Sequence, residues 1–138
     1  MKPSHTYIDH TADVLFTAEA ATLEELFAEC GIAVEETQIN LDGVSTTETK
    51  TFSVEAKDQE SLLFEFLDEL LFYKDAEQLI FKEFKITIED NKLTCVAKGE
   101  TINREKHEQK VDVKAITMHL FELKKTDEGW FAKVLIDI

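Results

Sequence analysis

The sequence predicts an α+β fold in which mostly antiparallel β-sheets pack around two α-helices within one domain spanning residues 1–138. Two segments carry helical periodicity, and the rest alternates with period two. The strands follow one another through short connections instead of in strict βα order, which disfavours a doubly wound parallel sheet. A chain of this length supports one hydrophobic core.

Polar residues open the chain, and Asp9-His10-Thr11-Ala12-Asp13 separates two strand-like stretches. In the second stretch Val14, Phe16 and Ala18 form one face, with Asp13, Leu15, Thr17 and Glu19 on the other. A helix then starts at Thr22, where Thr22-x-x-Glu25 has the form of a capping box. Leu23, Leu26, Phe27, Cys30 and Val34 share its apolar face, and Glu24, Glu25 and Glu35 are expected elsewhere. Gly31 inside this helix costs about 1 kcal/mol relative to Ala.

Phe52, Val54 and Ala56 mark the next strand. The second helix runs from about Gln59 to Asp75 with Asp58 as its cap. Its apolar residues, from Leu62 to Phe72, make a stripe too broad for a helix with one wet face, so it is expected at the centre. Phe84, Ile86 and Ile88 form a strand that turns through Glu89-Asp90-Asn91-Lys92 into Leu93, Cys95 and Ala97. Ile116, Met118 and Leu120 are expected to face inward on the following strand. After Thr126-Asp127-Glu128-Gly129, Trp130, Ala132, Val134 and Ile136 do so on the last.

Fifteen Lys and Arg stand against 29 Asp and Glu, a net charge of −14. Such a surface repels phosphate backbones, so direct high-affinity nucleic-acid binding is not expected; a basic protein partner or a cation would suit it. Cys30 and Cys95 lie far apart on apolar faces and read as buried reduced thiols. The N-terminus lacks signal-peptide character, and no apolar run approaches the roughly 20 residues that span a bilayer. A cytoplasmic protein without membrane contact is the expectation.

Two clusters carry candidate chemistry. Asp9 and Asp13 offer hard oxygen donors suited to Ca²⁺ or Mg²⁺, and His10 suits Mn²⁺ or Zn²⁺; the same residues also make ordinary turn hydrogen bonds. At the other end, Asp137 and the terminal carboxylate of Ile138 form an oxygen-rich cluster if Asp13 approaches. His107 and His119 titrate near neutrality, yet no nucleophile or metal triad stands near them in sequence. Phosphate-cradling glycine loops and the common hydrolase motifs are missing, which argues against a nucleotide-binding enzyme.

Together the motifs resemble the archease family: Asp9-His10-Thr11-Ala12-Asp13, the segment Leu62–Leu71 continuing to Lys74-Asp75, Gly99-Glu100, His107, Asp112–Thr117 with His119, and Asp137-Ile138. They occur in family order over nearly the whole chain. Many archeases have Thr-Tyr-His where this chain has Thr117-Met118-His119, and an acidic residue after the histidine where it has Leu120, which leaves His119 a secondary candidate.

The resemblance implies a non-catalytic activator of an RtcB-type tRNA-splicing RNA ligase, promoting guanylylation of the ligase and its multiple turnover. It also implies a bound divalent cation, with Ca²⁺ seen in the family and Mn²⁺ or Mg²⁺ as functional alternatives, held by Asp13, Asp137 and a main-chain oxygen of Ile138. Asp9, His10, Lys114 and His119 become supporting or partner-contact residues. Two other readings remain: a general chaperone or modulator of RNA-modifying enzymes, and a metal-dependent phosphoesterase with Asp9, His10, Asp13 and Asp137 as the metal shell.

Overall fold

A computed structural model describes residues 1–9 and 13–138. Its strands are β1 (Ser4–Ile8), β2 (Asp13–Ala20), β3 (Glu48–Glu55), β4 (Leu79–Glu89), β5 (Lys92–Thr101), β6 (Ala115–Lys125) and β7 (Trp130–Asp137). The helices are α1 (Leu23–Gln38) and α2 (Gln59–Glu77). Two separate antiparallel sheets result, ordered β1-β2-β7-β6 and β3-β5-β4. The expected α+β architecture is therefore the observed one.

Helix α1 begins as its sequence implies. The Thr22 hydroxyl accepts the Glu25 amide at 3.2 Å, although the Glu25 carboxylate binds that hydroxyl at 3.0 Å instead of returning to the Thr22 amide. Asp58 caps α2 by accepting the Ser61 amide at 2.7 Å. α2 packs against α1 and strands of both sheets, as its broad stripe requires. Phe72 is the exception: at 54% exposure it faces away from the core.

One core joins the inner faces of both sheets to the two helices. Phe66 on α2 is its centre, with its ring 6.0 Å from Phe27 on α1, 6.2 Å from Phe52 on β3 and 5.8 Å from Phe84 on β4. Gly31 leaves room for Phe84, whose ring would lie 3.0 Å from an added Cβ. Cys30 and Cys95 are buried free thiols, as expected.

Two strands depart from simple alternation. In β4 the pairing with β5 shifts between Phe81 and Glu83, which lets Leu79 and Phe81 share the main core with Phe84, Ile86 and Ile88, while Ile80 is buried in a second cluster with Ile39 and Val44. In β6 the pairing with β7 breaks between Thr117 and Glu122, and Leu120 adopts φ 60°. The sequence-based expectation that Met118 and Leu120 face inward is thereby corrected. Both are exposed, and Phe121 takes the buried position against Phe64. A local break in pairing resets which side chains face the core, and period-two counting cannot see it.

Gly99 marks the tightest approach in the smaller sheet. A Cβ there would lie 1.8 Å from the Ile80 carbonyl oxygen and 2.6 Å from the Phe81 Cα, both backbone atoms. Gly99→Ala should therefore destabilise the protein by about 3 kcal/mol or more, the upper end of overpacking costs. Chemical denaturation of the purified variant measures this loss, and a near-neutral result would disprove the close approach.

Candidate functional site at the Asp13–Asp137 edge

The register of the larger sheet brings the two acidic ends of the sequence together. Asp13, the first residue of β2, pairs directly with Asp137, the last of β7. Asp137 in turn pairs with Ala115 at the start of β6, and the Lys114 amide donates to the Asp137 carbonyl at 2.9 Å. Three adjacent strands thus align Asp13, Asp137 and Lys114 along one edge. Directly opposed residues of antiparallel strands put their side chains on the same face, where like charges repel.

Both aspartates offer hard oxygens of the kind that Ca²⁺, Mg²⁺ and Mn²⁺ accept, so the donor chemistry fits a divalent cation. Among the described residues no three His, Cys, Asp or Glu side chains form a group that could hold a metal. Further oxygens would have to come from the main chain, as at Ile138, which follows Asp137. Beside Asp13 an open cleft of about 340 Å³ is lined by Tyr7, Asp9, Glu36, Thr37 and Lys110.

The other sequence candidates fall in different places. Asp9 is exposed at the end of β1 and shares this cleft. His10 lies outside the described residues. Lys114 is exposed. His119 sits in the stretch of β6 where pairing with β7 lapses, beyond the register that aligns Asp13 with Asp137. His107 is buried in a hydrogen-bonded role: its Nδ1 accepts the Asn103 amide at 2.9 Å, and its Nε2 lies 2.8 Å from Glu100. Lys106, the Ser45 amide and His107 together hold the Glu100 carboxyl down at about 2.

An irregular strap, residues 102–114, carries the chain from β5 to β6 across the C-terminal ends of both helices. Backbone bonds tie it to α1: Lys110 donates to Gln38 at 2.9 Å and Val111 to Thr37 at 3.3 Å. Lys74, buried at the end of α2, donates to Asp112 at 2.8 Å and to the Val113 carbonyl at 2.7 Å. Behind it lies Glu35, fully buried, which accepts the Phe81 amide at 2.8 Å and the Gln38 side-chain amide at 3.0 Å.

Sequence reading missed this polar cluster and placed Glu35 away from the core; the structure corrects that. The signal was present. Glu35 follows Phe27 and Gly31 by eight and four residues, and Lys74 follows Leu67 and Leu70 by seven and four, so both continue apolar helix faces. Their charge argued for solvent, but hydrogen bonds make burial tolerable.

The Archease protein family (MTH1598/TM1083) matches residues 5–138. The chain belongs to the archease family. It is 39% identical to Protein archease of Pyrococcus abyssi and 38% identical to that of Thermococcus kodakarensis, over 96% of each chain in both cases. Among solved structures, protein 1598 of Methanobacterium thermoautotrophicum superimposes with a TM-score of 0.86 at 36% identity, covering 97% of this chain and 98% of that one. An archease from Thermotoga maritima, described as a possible chaperone, shares the fold with a TM-score of 0.68 at 20% identity, covering 95% and 94%. Archease strand and helix order is thus the order described above. No helix among the described residues is long and apolar enough to cross a membrane.

Glu35 gives this archease a pH dependence of definite sign. Burial pushes its carboxyl from 4.5 up to about 8, against the pull of the Phe81 amide, Lys74 and Gln38. Between those values the native state keeps a proton that the unfolded chain has released. Its contribution is therefore most favourable below about pH 4.5, declines as pH rises and levels off above about 8. Glu35→Gln should remove this decline of a few kcal/mol. Urea unfolding at about pH 5, 7 and 9 reads it out, and parallel profiles for the two proteins would contradict the assignment.

Proposed function

We propose that this archease activates an RtcB-type RNA ligase, promoting guanylylation of the ligase and its repeated turnover, with a divalent cation held at the Asp13–Asp137 edge. The observation that carries the reading is the direct cross-strand pairing of Asp13 with Asp137. Asp13, Asp137 and a main-chain oxygen of Ile138 would hold the cation. When bound, such an ion offsets the repulsion between the facing carboxylates and offers charge stabilisation to nucleotide phosphates.

The protein's own part is presentation. The β2–β7–β6 register holds two carboxylates and Lys114 at one edge of a rigid sheet, where a partner's nucleotide pocket can meet them. Neither role needs a covalent step on this chain. The net charge of −14 favours docking against a basic RNA-binding cleft and makes the complex salt-sensitive. Asp9, Lys110 and Lys114 border the edge and, in this reading, would contact the partner.

A broader chaperone role is the second reading. It is suggested by the description of the Thermotoga maritima relative and by the exposed side chains of Phe72, Met118 and Leu120. A chaperone protects unrelated clients, whereas a dedicated activator works with the ligase alone.

Guanylylation of purified ligase with GTP and Mn²⁺ separates these readings. Asp13→Ala and Asp137→Ala should each lose the stimulation by at least about tenfold, as expected when a charge-stabilising group is removed, while melting as the parent does. Full stimulation by both variants would refute the cation-bearing edge.

A further inference from the structure

The buried ammonium of Lys74 is fully engaged in polar contacts. A buried charge must be paired and hydrogen-bonded to be tolerated. Each of the three Nζ donors has an oxygen in reach: Asp112 at 2.8 Å, the Val113 carbonyl at 2.7 Å and Asp75 at 3.3 Å. Two of these belong to the strap and stand immediately before Lys114.

The strap's backbone is anchored on either side of that grip. Upstream, Val111 bonds to Thr37 of α1; downstream, Lys114 bonds to Asp137 of β7. The Val113 side chain is fully buried in the core, so the strap has an apolar attachment that does not depend on Lys74. What the apolar contact cannot fix is the orientation of the Val113 carbonyl, and hence of the peptide plane that carries the Lys114 amide. The ammonium, directional through its hydrogen bonds, does fix it.

We infer that Lys74 is a positioning residue for the Asp13–Asp137 edge: its grip on Asp112 and Val113 sets the Lys114 amide, and through it the end of β7. The functional consequence rests on the ligase reading above, whereas the positioning itself is measurable without ligase or metal. Lys74 touches neither aspartate and acts through the strap.

Site-specific amide hydrogen exchange, followed by NMR on the full chain, tests the positioning. Lys74→Met should speed exchange at the Lys114 amide about tenfold, the scale of a lost bond to a charged group, and leave Val96 in the β3-β5-β4 sheet unchanged. Asp112→Asn, at an exposed side chain, should do the same by a smaller factor, and it decides the matter if Lys74→Met does not fold. Ligase stimulation, measured beside Asp13→Ala, tests the consequence, with a loss of about tenfold expected for Lys74→Met. Wild-type exchange at Lys114 in a folded Lys74→Met protein overturns the inference. So does full stimulation by Lys74→Met where Asp13→Ala has lost it. If Asp13→Ala itself stimulates fully, the ligase reading fails instead, and exchange at Lys114 alone decides the positioning role.

Discussion

Two sheets that share no strand must be held by something other than backbone pairing, and here the helices do it. α2 packs against β6 of one sheet and β3, β4 and β5 of the other, while α1 packs against β1, β2 and β7 on one side and β4 on the other. Phe66 sits where these surfaces meet. The apolar faces of the helices therefore decide the relative placement of everything else. Lys74, at the end of α2, extends that placement to the strap, and Glu35, near the end of α1, extends it to β4, by directional bonds. Burial sets the layers, and a few buried polar groups set the angles.

Much of this was legible in the residues. Thr22 and Asp58 announced the helix starts, and the Leu62–Leu71 stripe announced a helix covered on more than one side. Asp90 and Asn91, both at positive φ, turn the β4–β5 hairpin where the polar break in the sequence put it. Met118 and Leu120 could not be placed by counting, because the break in β6 pairing depends on how a neighbouring strand fits and not on local alternation. Phe72 was equally opaque. A phenylalanine on a crowded helix looks buried until the neighbours that would cover it prove to lie elsewhere.

The candidate site was half legible. Asp13 and Asp137 stood out as carboxylates beside strand ends, but nothing in either segment states that β2 and β7 are neighbours. That pairing is a property of the sheet order, reached through family resemblance in the sequence and through register in the structure. His107 illustrates the converse. A histidine in a charged segment invites a catalytic role, yet its bonds to Asn103 and Glu100 show it organising the strap.

The alignment of Asp13 with Asp137 has a kinetic side. These residues are separated by almost the full length of the described chain, and the strand that unites them, β7, enters between β2 and β6 only after every other strand has been made. Contacts of such long sequence separation close late, because their loop entropy is lost before they are rewarded. The acidic edge therefore exists only once β7 has paired with both of its neighbours.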